Sequence, residues 1–136
     1  MVDRRLRVVV ADDDEAILEL VSIRLDLAGY QTIPRRDGYL ALDAIYNSDP
    51  HAVVLDIGMP KMDGFGVLRT LRAHKKYHAL PVMILSARNN SQDVLSAMSL
   101  GANDYLAKPF RDGQLLARVA RLTSARPDRR TAIHFD

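Results

Sequence analysis

The sequence predicts an α/β protein, an open and doubly wound (βα)5 sheet with helices over both faces. Two observations carry that expectation. Five short apolar runs alternate with five helix-length amphipathic segments along the chain. The strongest runs are apolar at nearly every position, as strands buried on both faces are, and such burial belongs to parallel sheets.

The first run covers Leu6 to Ala11 and leads into a helical pattern with Ile17, Leu20, Val21 and Leu25 on one face, closing at Gly29. A weaker strand, "YQTIP", precedes the helical stretch "GYLALDAIYN". "HAVVLD" reads as a fully buried strand, and the turn "IGMPKMDG" then opens the helix "FGVLRTLRAH". "PVMILS" is the fourth strand, followed by polar "ARNNSQD" and the helix "VLSAMSL" before Gly101. Last come "DYLAKP" and a helix carrying Leu115, Leu116, Val119 and Leu122. Residues 1–124 form one domain in this reading. The remainder, "ARPDRRTAIHFD", is polar and proline-interrupted, and is expected to be a tail or the start of a linker.

At 136 residues the chain suits one domain with a real hydrophobic core. The absence of cysteine excludes disulfides and thiolate metal sites and points to a reducing cytoplasm. No apolar run approaches a membrane span, and the apolar stretch of "MVDRRLRVVV" is too short for a signal peptide. The pI of about 9.1 looks basic. Yet Arg126, Arg129, Arg130, Asp128 and Asp136 all lie after residue 124, which leaves 16 basic against 15 acidic residues in the body. That is not the cationic stripe that direct nucleic-acid binding requires.

"ADDDE" places Asp12, Asp13, Asp14 and Glu15 side by side after the first strand. In a parallel sheet, function sits in the loops at the carboxyl ends of the strands. Strand one ends at Asp12 and Asp13, strand three at Asp56, strand four at Ser86, and strand five at Lys108 followed by Pro109. Clustered carboxylates raise one another's pKa unless a cation neutralises them. Oxygen ligands alone match a hard divalent ion, Mg²⁺ or Mn²⁺. A carboxylate beside such an ion can attack phosphorus to give an acyl phosphate, with Lys108 and the hydroxyl of Ser86 available to the equatorial oxygens. Asp56 is the best nucleophile because it ends the central strand.

These residues resemble the receiver domain of bacterial two-component response regulators, a CheY-like superfamily, over roughly residues 5 to 123. "VVVADDD", "AVVLDIGMPKMDGFGVL", "PVMILSAR" and "GANDYLAKPF" match it in order and spacing. The resemblance implies strand order 2-1-3-4-5 and Asp56 as phosphoacceptor. It also implies that Asp12, Asp13, Asp56 and the backbone carbonyl of Gly58 hold Mg²⁺, Asp12 largely through water. Ser86 and Lys108 would contact the phosphoryl group, the Lys108–Pro109 peptide would be cis, and Tyr105 would be the switch aromatic. Gly58 stands where the family commonly has a larger side chain, Asp14 where it often has glutamate, and Ser86 where it more often has threonine. Gly58 and Arg88 occupy the two variable positions at which the family tunes acyl-phosphate lifetime. The implied donor is a sensor histidine kinase or a phosphotransfer protein. The implied readout face is helix four, strand five and helix five, where Asp104 and Arg118 occupy positions used for dimer salt bridges in a winged-helix subfamily, although other charges of that set are absent.

Each residue also has a plainer reading. "DDDE" alone is a good helix N-terminus, with Asp13 able to cap and bind metal together. Asp56 alone is a turn aspartate, Ser86 a helix cap, Lys108 a solvated lysine, and Tyr105 a packing aromatic. Met59, Met62, Met83 and Met98 read as core or near-core filling. In "HKKYH", His74 and His78 have zinc-motif spacing, but Lys75 stands where that motif needs glutamate, so a solvated helix end is expected. "GFG" lacks a dinucleotide loop's further glycine and reads as a helix start. A competing enzymatic reading is an aspartyl-nucleophile phosphatase acting on small phosphoesters, which usually needs a second aspartate where Gly58 stands. A flavodoxin-like cofactor binder would need a phosphate-cradling loop that the sequence lacks. A stand-alone regulator and a domain leading into a DNA-binding, cyclase or kinase module are both compatible with the sequence.

Overall fold

Three strands carry the centre of the molecule: β1 (Arg7–Ala11), β3 (Ala52–Leu55) and β4 (Val82–Ser86), buried at every position except the half-buried Arg7. A computed structural model describes residues 3–135, with side chains described for 3–124. Two edge strands, β2 (Gln31–Arg35) and β5 (Asp104–Ala107), complete a parallel sheet of order β2-β1-β3-β4-β5. The edges are mostly only half-buried, which is why "YQTIP" gave the weaker strand signal.

Alternation along each strand divides the apolar side chains between two cores. Val9, Ala11, Val53, Leu55, Val82 and Ile84 face α2 (Gly38–Ser48), α3 (Gly64–Ala73) and α4 (Ser91–Ser99). Val8, Val10, Ala52, Val54, Met83 and Leu85 face α1 (Glu15–Leu27) and α5 (Asp112–Phe135). Burying each such side chain fully stabilises the fold by about 1.5–3 kcal/mol relative to leaving it exposed. The sheet is therefore set rigidly between two helical layers.

The helices start at polar caps. Asp14, Asp37, Asp63 and Asn90 each accept a backbone N–H from the first turn of α1, α2, α3 and α4. Losing one such cap costs about 1 kcal/mol. Asp14, not Asp13, caps α1, because its carboxylate reaches the amides of Ala16 and Ile17 while Asp13 stays exposed. After α1 and α4, Gly29 and Gly101 turn the chain with φ near +100°.

Some expectations need correction. The buried face of α1 is Leu18, Val21, Ser22 and Leu25, an i, i+3, i+4, i+7 set that leaves Leu20 37% exposed. Met98 lies on the outer side of α4 and is exposed, whereas Met59 and Met83 are buried as expected. His74 is more than a solvated helix end, since its ring packs against Tyr46 and Tyr77. Helix α5 extends to Phe135, into the stretch expected to be a tail or the start of a linker. Among the described residues no helix is long and apolar enough to cross a membrane.

The outer rim of β2 offers few free backbone groups. Gln31 N–H donates to the Leu6 carbonyl and Asp12 N–H to the Arg35 carbonyl, so odd-numbered residues of β2 face β1. Of the outward pair, Thr32 gives its N–H and hydroxyl to Asp26, and the Pro34 carbonyl accepts from Arg35 Nη1.

Candidate phosphoryl and metal site

Register brings the site together. Ala11 of β1 lies beside Leu55 of β3, so the next residues, Asp12 and Asp56, leave the sheet at one rim. Ser86 lies beside Ala107, so Lys108 leaves at the same rim two strands away from Asp56. The ladder continues one residue past the strands: Asp56 N–H donates to the Ala11 carbonyl, Asp12 N–H to Arg35, and Lys108 N–H to Ser86. Backbone bonds therefore position the three charged groups before any side chain acts.

Asp12, Asp13 and Asp56 each offer a carboxylate oxygen within 4.8 Å of the others; Asp12 and Asp56 are buried, and Asp13 is exposed. Lys108 Nζ lies 2.6 Å from Asp12 Oδ2 and 3.7 Å from Asp56 Oδ2. Asp12 Oδ1 also accepts the Asp14 N–H, and Asp56 Oδ1 the Ile57 N–H. Burial pushes the Asp12 pKa up, and the Asp56 charge adds to this; the hydrogen bonds from Lys108 and Asp14 oppose it without cancelling it. One ammonium thus contacts two of three clustered carboxylates. An all-oxygen set with excess negative charge fits a hard divalent cation.

Gly64 explains how α3 can start so close to this rim. A Cβ there would lie 2.2 Å from the Asp56 carbonyl oxygen and 2.9 Å from Ile57 Cα. Gly64 N–H donates to the Ile57 carbonyl, pinning the turn. "GFG" is indeed a helix start, but reading it so missed that its first glycine makes room for the Asp56 backbone. Gly58 is the opposite case: it is exposed, and an added Cβ would meet nothing within 4 Å.

Ser86 is buried, and its hydroxyl accepts the N–H of Arg88. Tyr105, half-buried on β5, donates its hydroxyl to the Arg88 carbonyl, and burial raises its pKa. The Lys108–Pro109 peptide is cis. Asp104 and Arg118 pair with each other within the chain at 2.8 Å, and Arg118 also reaches the Tyr105 carbonyl. The structure therefore gathers Asp12, Asp13, Asp56 and Lys108 directly, and links Ser86 to Tyr105 through the backbone of Arg88. Sequence reasoning missed Asp93, which holds Arg88; the signal was available, since Asn90 followed three residues later by an acid is a capping pattern.

The model of the response regulator receiver domain family matches residues 8–120. The response regulator MprA of Mycobacterium sp. (strain KMS) is 42% identical over 124 residues, covering 90% of this chain and 53% of the relative. The DNA-binding dual master transcriptional regulator RpaA of Synechocystis sp. is 40% identical over 116 residues, covering 85% of this chain and 48% of the relative. The chain thus spans about half the length of the curated relatives it matches. A solved structure of a putative response regulator from Chloroflexus aurantiacus superposes with a TM-score of 0.85 at 31% identity, covering 89% of this chain and 99% of that one. The chemotaxis response regulator CheY4 of Vibrio cholerae gives 0.81 at 28% identity, over 87% and 98% of the two chains. Fold, rim and relatives agree, and the chain belongs to the response regulator receiver domain family of two-component signalling.

Proposed function

We propose that Asp56 accepts a phosphoryl group from the phosphohistidine of a sensor histidine kinase or phosphotransfer protein. Asp56 Oδ2, the oxygen facing Lys108, attacks phosphorus; the N–P bond breaks, and its electron pair leaves with the imidazole, which takes up a proton. A Mg²⁺ or Mn²⁺ ion held by Asp12, Asp13, Asp56 and the Gly58 carbonyl would supply charge that lets two anions approach. Lys108 exchanges its contact with Asp12 for a phosphoryl oxygen, and Ser86 donates to another. The observation that carries this reading is the single ammonium among three converging carboxylates.

The product is a switch state rather than a released product. Phosphorylation moves the equilibrium only through contacts made better in the active state, here with Ser86 and Lys108. Movement of Ser86 would release Tyr105 to turn inward. Water access beside Gly58 and the charge of Arg88 set how long the acyl phosphate survives, and the domain assists its own dephosphorylation. Residues 1–124 are the receiver unit, and 125–136 a polar tail or the start of a linker. The setting is cytoplasmic, and any DNA binding belongs outside this domain. A homodimer through α4, β5 and α5 would require Asp104 and Arg118 to trade their internal pairing for a partner's; an unchanged gel-filtration volume on adding beryllofluoride would refute it.

Treating wild type and Asp56→Asn with acetyl phosphate and Mg²⁺ tests the assignment by intact mass. One phosphoryl group per wild-type chain and none on the variant are expected. Undiminished labelling of the variant would overturn the assignment.

A further inference from the structure

Arg88 follows Ser86 by two residues, yet its guanidinium does not pair with the acidic rim. Its Nε and Nη2 donate to the two oxygens of Asp93 at 3.2 and 3.0 Å. Asp93 is a buried residue on the first turn of α4, and it accepts a further bond from Asn90 Nδ2 at 2.9 Å. The guanidinium also lies over the Phe65 ring of α3, 5.7 Å from its centroid. Two helices thus hold one arginine. A two-pronged guanidinium–carboxylate contact fixes direction as well as distance. The pairing shows in both partners: Arg88 lowers the Asp93 pKa, and Asp93 raises that of Arg88.

The main chain of Arg88 serves the site at the same time. Its N–H holds the Ser86 hydroxyl, and its carbonyl holds the Tyr105 hydroxyl. We infer that Asp93 is a positioning residue: it holds the Arg88 guanidinium off the phosphoryl-accepting rim and thereby keeps the β4–α4 loop, with Ser86 and Tyr105, in its resting arrangement. When the loop shifts toward a phosphoryl group on Asp56, the guanidinium must leave Asp93. Once free, it can add a charge-assisted contact to that anion. The inference rests on Asp56 being the phosphoacceptor.

Beryllofluoride with Mg²⁺ serves as the probe, and its affinity is read from ¹⁹F NMR titrations of the full chain. Asp93→Asn removes the anion that restrains Arg88. The variant is expected to bind about threefold tighter, the scale of an ion pair whose arginine stays half-exposed. Asp93→Glu keeps an anion within reach and should return the wild-type affinity. Adding Arg88→Gln to Asp93→Asn should abolish the gain, because the freed guanidinium produces it. An unchanged affinity in Asp93→Asn, or a gain that survives Arg88→Gln, would overturn the inference. If Asp93→Asn unfolds α4, Asp93→Gln keeps a capping side chain at the third helical position and takes its place. A wild-type chain that binds no beryllofluoride would instead overturn the Asp56 reading.

Discussion

The two ends of the sheet use the same kinds of residue to opposite effect. At the amino-terminal rim, the Asp49 carboxylate accepts from the Tyr77 hydroxyl at 2.8 Å and from Lys76 Nζ at 3.1 Å. Arg7 closes that corner by donating to the Ser48 and Asp49 carbonyls. Here one acid has two donors, and Asp49 stays well exposed. At the carboxyl-terminal rim, Asp12 and Asp56 are buried with Asp13 beside them, and Lys108 is the shared counter-charge. One rim is saturated and closes the fold; the other carries excess charge and a raised Asp12 pKa. Uncompensated burial is costly, and such groups cluster at functional sites.

Deleting a cation at each rim tests the contrast most directly. Lys108→Met leaves buried carboxylates unpaired and should cost about 3–5 kcal/mol in urea unfolding, with Mg²⁺ restoring part of the loss. Lys76→Met removes an exposed pair and should leave the urea midpoint almost unchanged, with no response to Mg²⁺. Equal losses would erase the distinction between the rims. Gly64→Ala forces a Cβ against the Asp56 carbonyl and should destabilise by about 1–3 kcal/mol while impairing acetyl-phosphate labelling. Normal labelling would mean that α3 can shift without moving Asp56.

A further test also belongs to the saturated rim. Tyr77→Phe should cost about 1 kcal/mol at pH 7 and leave labelling intact. Its pH dependence has a definite sign. The Tyr77 and Lys76 hydrogen bonds lower the Asp49 pKa below its ordinary 3.8. That stabilisation is complete above the unfolded value and fades as pH falls through the lowered one. The gap between wild type and Tyr77→Phe should therefore narrow below about pH 4; urea midpoints at pH 7 and pH 3 measure it.

What the sequence revealed follows the range of the interactions involved. β1, β3 and β4 were readable because burial on two faces makes nearly every residue apolar. Asp12, Asp56 and Ser86 were readable because each directly follows or ends such a run, and Lys108 because it follows the edge strand β5 and precedes Pro109. The α1 face was read with Leu20 in place of Leu18, since leucines at both positions satisfy a loose helical pattern and only packing selects between them. The internal Asp104–Arg118 pair and the Tyr77–Asp49 bond join residues 14 and 28 positions apart, and no local pattern announces them. Asp93 was hidden differently: its cap pattern is local, but its grip on Arg88 depends on how the β4–α4 loop folds.

The lateral boundary of β2 bears on how this protein avoids unwanted association. Thr32 has its amide occupied by Asp26, and Pro34 has no amide to give, while its carbonyl is covered by Arg35. A neighbouring polypeptide laid along this margin would find no free amide donor at Thr32 or Pro34, which weakens any continuation of the ladder. Fibril-like growth from that side is thereby disfavoured.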